Sequence, residues 1–285
     1  MCRNLIPERA GTSFKPDHAA AIAEDAGSVS WFEVHPENYM VRGGPRLAQL
    51  EALRAEFPLS FHGVGLSLGA GELPDKKHLA ALKALIERFE PGLVSEHLAW
   101  SSHEGLYFAD LLPSALTPAV LNGVIDAIDK TQEFLGRNIL IENPSSYVPR
   151  PDSWLPEVEF MSELAERSGC RLLMDINNIH VSAHNLNFDA CGYVDAIPGA
   201  LVGEIHLAGH SIDTNDGDPI LIDTHGARVA DEVWSLYLRL IERIGPRPTL
   251  VEWDTNLPEW SVLRAEAEQA NVYIQQSLIE SRQAS

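Results

Sequence analysis

The chain has 285 residues, 45% of them hydrophobic, and no apolar run approaches the ~20 residues of a membrane-spanning helix, so a sizeable folded core is expected and a helical membrane protein is not. Its 21 basic residues against 41 acidic ones give a formal charge of −20 with no Lys/Arg run, which disfavours nucleic acid or an anionic membrane as partner. Cys2, Cys170 and Cys191 show no CxxC spacing, and the start MCRNLIPERAGTSF lacks an apolar signal core, so the residues predict a cytoplasmic protein with neither a disulfide framework nor a zinc knuckle.

Eight short apolar or β-branched runs read as strands: Arg9–Phe14, Ser30–His35, Pro58–Gly65, Gly92–Trp100, Asn138–Asn143, Arg171–Asn177, Leu201–Gly209 and Thr249–Asp254. Helical spacing falls between them, as in Leu79, Leu82, Leu85, Ile86 and Phe89, or Val120, Leu121, Val124, Ile125 and Ile128. Pro16, Pro118 and Pro156 stand where first helical turns begin, positions that need no backbone N–H. Strands alternating with helices imply parallel strands joined by crossovers. Eight such units suit a (β/α)8 TIM barrel of the α/β class, and one domain over residues 1–285 accommodates it. A doubly wound open sheet is the competing fold.

The strand ends favour the barrel, because barrel active sites collect at the C-terminal ends of the strands. There the sequence places Glu33 and His35, His62, His97, Glu142 and Asn143, Asp175, Asn178 and His180, Glu204, His206 and His210, Asp223 and His225 in DTHG, and Glu252 and Asp254. Alone, any one of these is more readily a hydrogen-bonded polar residue than a ligand. Together, converging carboxylates and imidazoles would be costly to bury without cations. His62, His97, Glu142, Asp175, His180, His206, Asp223, His225 and Glu252 make nine plausible donors, too many for one ion, and the mixed set suits iron, zinc or manganese. Two or three ions fit, with Glu142 or Glu252 as a bridge.

Other features carry less. The sequence has no G-x-S-x-G, GxGxxG, Walker A or HExxH motif. GVGLSLGAGELP (63–74) reads as a structural or substrate-shaping loop after the third strand. Trp100, Trp253 and Trp260 belong to the mouth or to the core, and Cys170 to the core.

The motifs WFEVHPENYM, LSFHGVGLSLG, VSEHLAWS, LIENPSSY, LMDINNIHVSAHN, EIHLAGHS, DTHG and VEWD, in that order, resemble the multinuclear non-heme iron-dependent oxidative enzyme family, which includes methanobactin and bufferin maturases. The match runs from about Arg9 to about Pro258. It implies a xylose-isomerase-like TIM barrel with two or three irons, mixed ferrous and ferric, that uses O2 to modify cysteines of a ribosomally synthesised precursor peptide. A small separate partner protein that binds the peptide leader is also implied.

On this chain the resemblance groups His62, His97 and Glu142 around one ion, Asp175, His206 and Glu252 around another, and His180, Asp223 and His225 at a third site. His210, Asn178 and Asp254 become catalytic candidates, and Glu33, His35, Glu37 and Asn38 lie near substrate. His184, farther past its strand, is expected to meet substrate or solvent rather than metal. The rival readings are a metal-dependent phosphodiesterase or sugar isomerase on the same barrel, opposed for a DNA substrate by the charge of −20, and a non-catalytic iron-binding protein.

Overall fold

Parallel pairing dominates the computed structural model of the chain, which describes residues 5–103, 106–215 and 217–284. In chain order the strands are β1 (Ala10–Ser13), β2 (Phe32–Val34), β3 (Leu59–Gly63), β4 (Leu93–His97), β5 (Ala99–His103), β6 (Leu106–Pro113), β7 (Leu140–Glu142), β8 (Arg171–Asp175), β9 (Val202–Leu207), β10 (Ser211–Asp213), β11 (Ile220–Ile222) and β12 (Thr249–Val251). Eight of them form a closed barrel in the order β1-β12-β9-β8-β7-β4-β3-β2. The others make two antiparallel hairpins, β5–β6 and β10–β11.

All eight expected strand positions are occupied, and the expected barrel is the observed fold. The differences lie at the ends. The run Gly92–Trp100 splits at Leu98 into β4 and β5, and the chain then pairs with itself antiparallel. The run Arg171–Asn177 stops at Asp175, which becomes a helix N-cap whose side chain accepts the Asn178 backbone N–H. Neither hairpin was foreseen from the sequence.

The helices are α1 (Ala19–Glu24), α2 (Pro45–Glu56), α3 (Lys76–Phe89), α4 (Pro118–Leu135), α5 (Glu157–Ser168), α6 (Ile176–Leu186), α7 (Ala190–Ala196), α8 (Asp231–Ile244) and α9 (Trp260–Ala284). Asp75 caps α3 by accepting the Lys77 and His78 N–H groups, and Thr117 caps α4 ahead of Pro118. Pro16 opens a short 3-10 turn, whereas Pro156 is the N-cap of α5.

The contacts divide the chain into two compact units. One comprises Met1–Leu5, Val34–Pro144 and Arg150–Leu173; the other comprises Ile6–Glu33, Ser145–Pro149 and Met174–Ser285. In the first, Leu79, Leu82, Leu85 and Phe89 of α3 are buried, Phe89 lies 6.3 Å from the Phe61 ring, and Leu121, Val124, Ile125 and Ile128 of α4 are buried too. Each such aliphatic side chain contributes roughly 1.5–3 kcal/mol. In the second, Val233, Leu236, Tyr237, Leu240 and Ile241 of α8 are buried, and so are Leu263, Ala267, Ala270 and Ile274 of α9. Trp253 and Trp260 are core residues here, Cys170 is buried and Cys191 exposed. Cys2 lies outside the described residues. No helix among the described residues is long and apolar enough to cross a membrane.

Candidate metal centre

Strand register assembles the first group. β4 pairs β7 with His97 beside Glu142, and β3 pairs β4 with His62 beside Ser95. The Glu142 Oε2 lies 3.1 Å from His62 Nε2 and 3.0 Å from His97 Nε2. The two imidazole Nε2 atoms are 3.2 Å apart. His62 and Glu142 are sealed, whereas the His97 side chain keeps 19% of its exposure, so solvent reaches the group from the His97 side.

The opposite ring nitrogens show which way these histidines are set. His97 Nδ1–H donates to the Gly63 carbonyl at 2.9 Å. His62 Nδ1 lies 2.8 Å from Ser95 Oγ, which is also 3.4 Å from the Phe61 carbonyl. His97 Nδ1 is thus a donor, which in the neutral ring leaves its Nε2 lone pair facing His62 Nε2 and Glu142, a converging set that a proton or a metal ion can occupy. Burial pulls the His97 imidazole down, but the charge of Glu142 and hydrogen bonds to Glu142 and Glu96 outweigh it and hold His97 well above the usual range. Burial likewise raises Glu142, yet the charges of His97 and His62 keep it well below the carboxylate range.

Several side chains steady this group. His35 Nδ1–H donates to the His62 carbonyl at 3.0 Å. Glu37 accepts the Val64 N–H and pairs with His78 at 3.2 Å. Glu96 accepts the Leu66 N–H and runs so close to Gly63 that a Cβ there would sit 2.5 Å from Glu96 Oε2, which is why a glycine follows His62. Asn38 is exposed.

The second unit holds a more acidic set. Glu252 Oε2 lies 3.2 Å from His206 Nδ1 and 3.3 Å from His225 Nδ1. His225 Nε2 is 2.8 Å from Asp223 Oδ1, and one ligand atom each from Asp175, His225 and Glu252 falls within 4.8 Å of the others. Beyond His206, Glu33 Oε1 is 3.3 Å and Glu204 Oε1 3.9 Å from its Nε2. Burial pulls His206 and His225 down, but neighbouring carboxylates outweigh it: the Glu33 charge and hydrogen bonds to Glu204, Glu252 and Glu33 for His206, and the Asp223 and Glu252 charges for His225. Glu252, though raised by burial, is held low by His225 and His206.

Beside this set, Asn177 donates to Asp223 Oδ1 at 2.7 Å and accepts the His210 Nδ1–H at 2.9 Å. The His180 ring lies 5.0 Å from that of His210, and burial lowers both imidazoles. Among the described residues His180 joins none of the convergent imidazole–carboxylate groups, so of its expected trio only Asp223 and His225 meet. His184 Nε2–H donates to the Pro219 carbonyl at 3.1 Å. Asp254 pairs with Lys15 at 2.5 Å and lies 3.6 Å from His225 Nδ1.

Sequence reasoning did not assign Ser95, Glu96 or Lys15, and it noted Glu204 at a strand end without giving it a role. Ser95 and Glu96 directly precede His97, and Lys15 follows the first strand by two positions, so the strand-end reading would have found them if extended by a residue or two.

A parallel eight-stranded barrel carrying buried imidazole–carboxylate groups defines the class as a xylose-isomerase-like TIM barrel. A solved protein of that description from Mycobacterium smegmatis, in complex with magnesium, covers 92% of this chain and 88% of its own at a TM-score of 0.59 and 14% identity. Endonuclease IV from Thermus thermophilus covers 95% and 99% at 0.56 and 18% identity. These likenesses show the fold alone.

Residues 9–275 match the family model described as RiPP precursor modification enzyme MbnB/TglH/ChrH, and the chain belongs to that family, which acts on ribosomally synthesised precursor peptides. A relative from Caulobacter vibrioides, named only as a UPF0276 protein, is 55% identical over 92% of this chain and 93% of its own.

Proposed function

We propose that the chain is a multinuclear iron-dependent oxidase that uses O2 to modify cysteine residues of a ribosomally synthesised precursor peptide. The observation that carries the metal reading is the pair of Nε2 atoms facing each other at 3.2 Å beside Glu142, with His97 Nδ1–H committed to the Gly63 carbonyl so that its Nε2 faces inward. The residues fit a metal, because a ligating histidine characteristically donates its other N–H to a protein oxygen. His62, His97 and Glu142 would hold one ion; Asp175, His206, His225 and Glu252 supply ligands for more. When bound, the ions supply one-electron redox change and the Lewis acidity that favours a thiolate over a thiol at pH 7.

The chain's own residues supply binding, orientation and proton handling. His210 donates through Nδ1 to Asn177, which leaves Nε2 as acceptor, and its lowered pKa keeps it neutral and ready to take the cysteine thiol proton. Asn177 in turn is anchored on Asp223. Asn178 supplies the backbone N–H that orients Asp175, and Lys15 fixes Asp254 near His225. The partly open His97 side is the approach for the peptide. A small leader-binding partner and a cytoplasmic location complete the proposal.

The test loads the chain anaerobically with ferrous iron, then adds precursor peptide, partner and O2. The expected result is an O2-dependent mass change on a peptide cysteine; an unchanged peptide mass with a fully loaded chain contradicts the reading.

A further inference from the structure

The buried imidazoles of the two groups are backed by different chemistry. At His62 and His97 the rear nitrogen is at hydrogen-bond distance from a neutral oxygen, the Ser95 hydroxyl at 2.8 Å and the Gly63 carbonyl at 2.9 Å, with Glu96 farther off, 3.9 Å from His97 Nδ1. His206 has carboxylates on both sides: Glu252 at 3.2 Å from Nδ1, and Glu33 at 3.3 Å and Glu204 at 3.9 Å from Nε2. Glu33, Glu204, His206 and Glu252 are each at most 4% exposed. These carboxylates therefore act on His206 with little screening by water.

We propose that Glu33 and Glu204 are positioning residues, Glu33 accepting the His206 Nε2–H and Glu204 adding its charge behind it, that turn the Nδ1 lone pair toward an ion shared with Glu252 and make that ion the more readily oxidised one in the chain. A carboxylate behind a ligating histidine fixes the tautomer and raises the basicity of the nitrogen facing the metal. Charge acts in the same direction. The first group has Glu142 between its imidazoles and Glu96 3.9 Å from His97 Nδ1, whereas the second gathers more carboxylates, Asp175, Glu252, Glu33 and Glu204, around His206 and His225. A trivalent ion gains more than a divalent one from that surplus of negative charge, so the ferric state belongs to the His206 group and the ferrous state to the His62–His97–Glu142 group. The inference rests on the iron reading above. It also gives Glu33 a role behind the ligand, where the sequence suggested contact with substrate.

The experiment is a potentiometric titration of the iron-loaded full chain followed by Mössbauer spectroscopy, with iron counted by elemental analysis, for the wild type, Glu204→Gln, Glu33→Gln and the rescuing Glu204→Asp. The Gln variants should keep the wild-type iron content and shift the couple of the first ion to oxidise upward by at least tenfold in equilibrium constant, about 59 mV for one electron. Glu204→Asp should return toward wild type. Unchanged potential at full iron content overturns the proposal, and so does loss of one iron per chain, which would make these carboxylates direct ligands. Loss of iron in Glu204→Gln and Glu204→Asp alike marks a fold effect and also counts against it. A wild-type chain that takes up no iron removes the iron reading itself; a wild-type chain that loads and cycles, with variants that match it, removes only this inference.

Discussion

At the residue scale, buried imidazoles and carboxylates face one another closely, and a metal ion bound among them would have to displace the protons they share. His97, His206 and His225 are all held well above the ordinary imidazole range by the carboxylates facing them, so protons compete with a metal for these nitrogens. A metal takes the place of those protons. Loading should therefore release protons and tighten as pH rises through neutrality, which calorimetry in buffers of different ionisation enthalpy measures. His62→Ala, Glu142→Ala and Asp175→Ala should each lower the bound metal per chain by elemental analysis. His184→Ala should not, because its ring is committed to the Pro219 carbonyl. The strand-end pattern made the donor types readable. It could not show which nitrogen of a histidine faces which oxygen, since that depends on register between strands distant in sequence, as in His62 beside Ser95.

At the element scale, helix α3 joins local and tertiary control. Asp75 caps it, and His78, in its first turn, reaches back to Glu37 in the 3-10 turn Pro36–Tyr39. The hydrogen bond to Glu37 raises His78 despite burial, whereas Glu37, raised by burial, is lowered overall by the His78 hydrogen bond. The raised histidine contributes fully below about pH 6.5 and loses its contribution as pH rises through its folded pKa; the lowered glutamate contributes above about pH 4.5 and loses it as pH falls. The pair should thus add its full stability, about 0.2–1 kcal/mol, between about pH 4.5 and 6.5, and a thermal-melt comparison with His78→Ala should converge with wild type only once pH has fallen past the lowered Glu37 pKa or risen past the raised His78 pKa. Leu82→Ala in the same helix should cost about 2–5 kcal/mol in denaturant unfolding. Helices with a clear apolar face were legible because that signal is local. The hairpins were not, because the apolar run of β4 continues through Leu98 into Trp100 and only antiparallel pairing with Leu106–Pro113 marks the break.

At the whole-molecule scale, the barrel was readable from the alternation of strand and helix patterns, and the polar strand ends marked where chemistry collects. The resemblance in the motifs, matched by the family model over residues 9–275, adds the peptide substrate class, which no single residue discloses. Metal binding by the folded chain alone stabilises it by mass action, ~2.7 kcal/mol at a free metal concentration of 100 times Kd, so chelation should lower the melting temperature and reloading restore it. Metal identity separates the oxidative reading from hydrolysis on the same fold. The most direct test is elemental analysis with Mössbauer spectroscopy of the chain purified and loaded without oxygen: two or three irons per chain, with ferrous and ferric signals after limited exposure to O2, are predicted, whereas a chain that retains zinc alone and rejects iron would contradict the account.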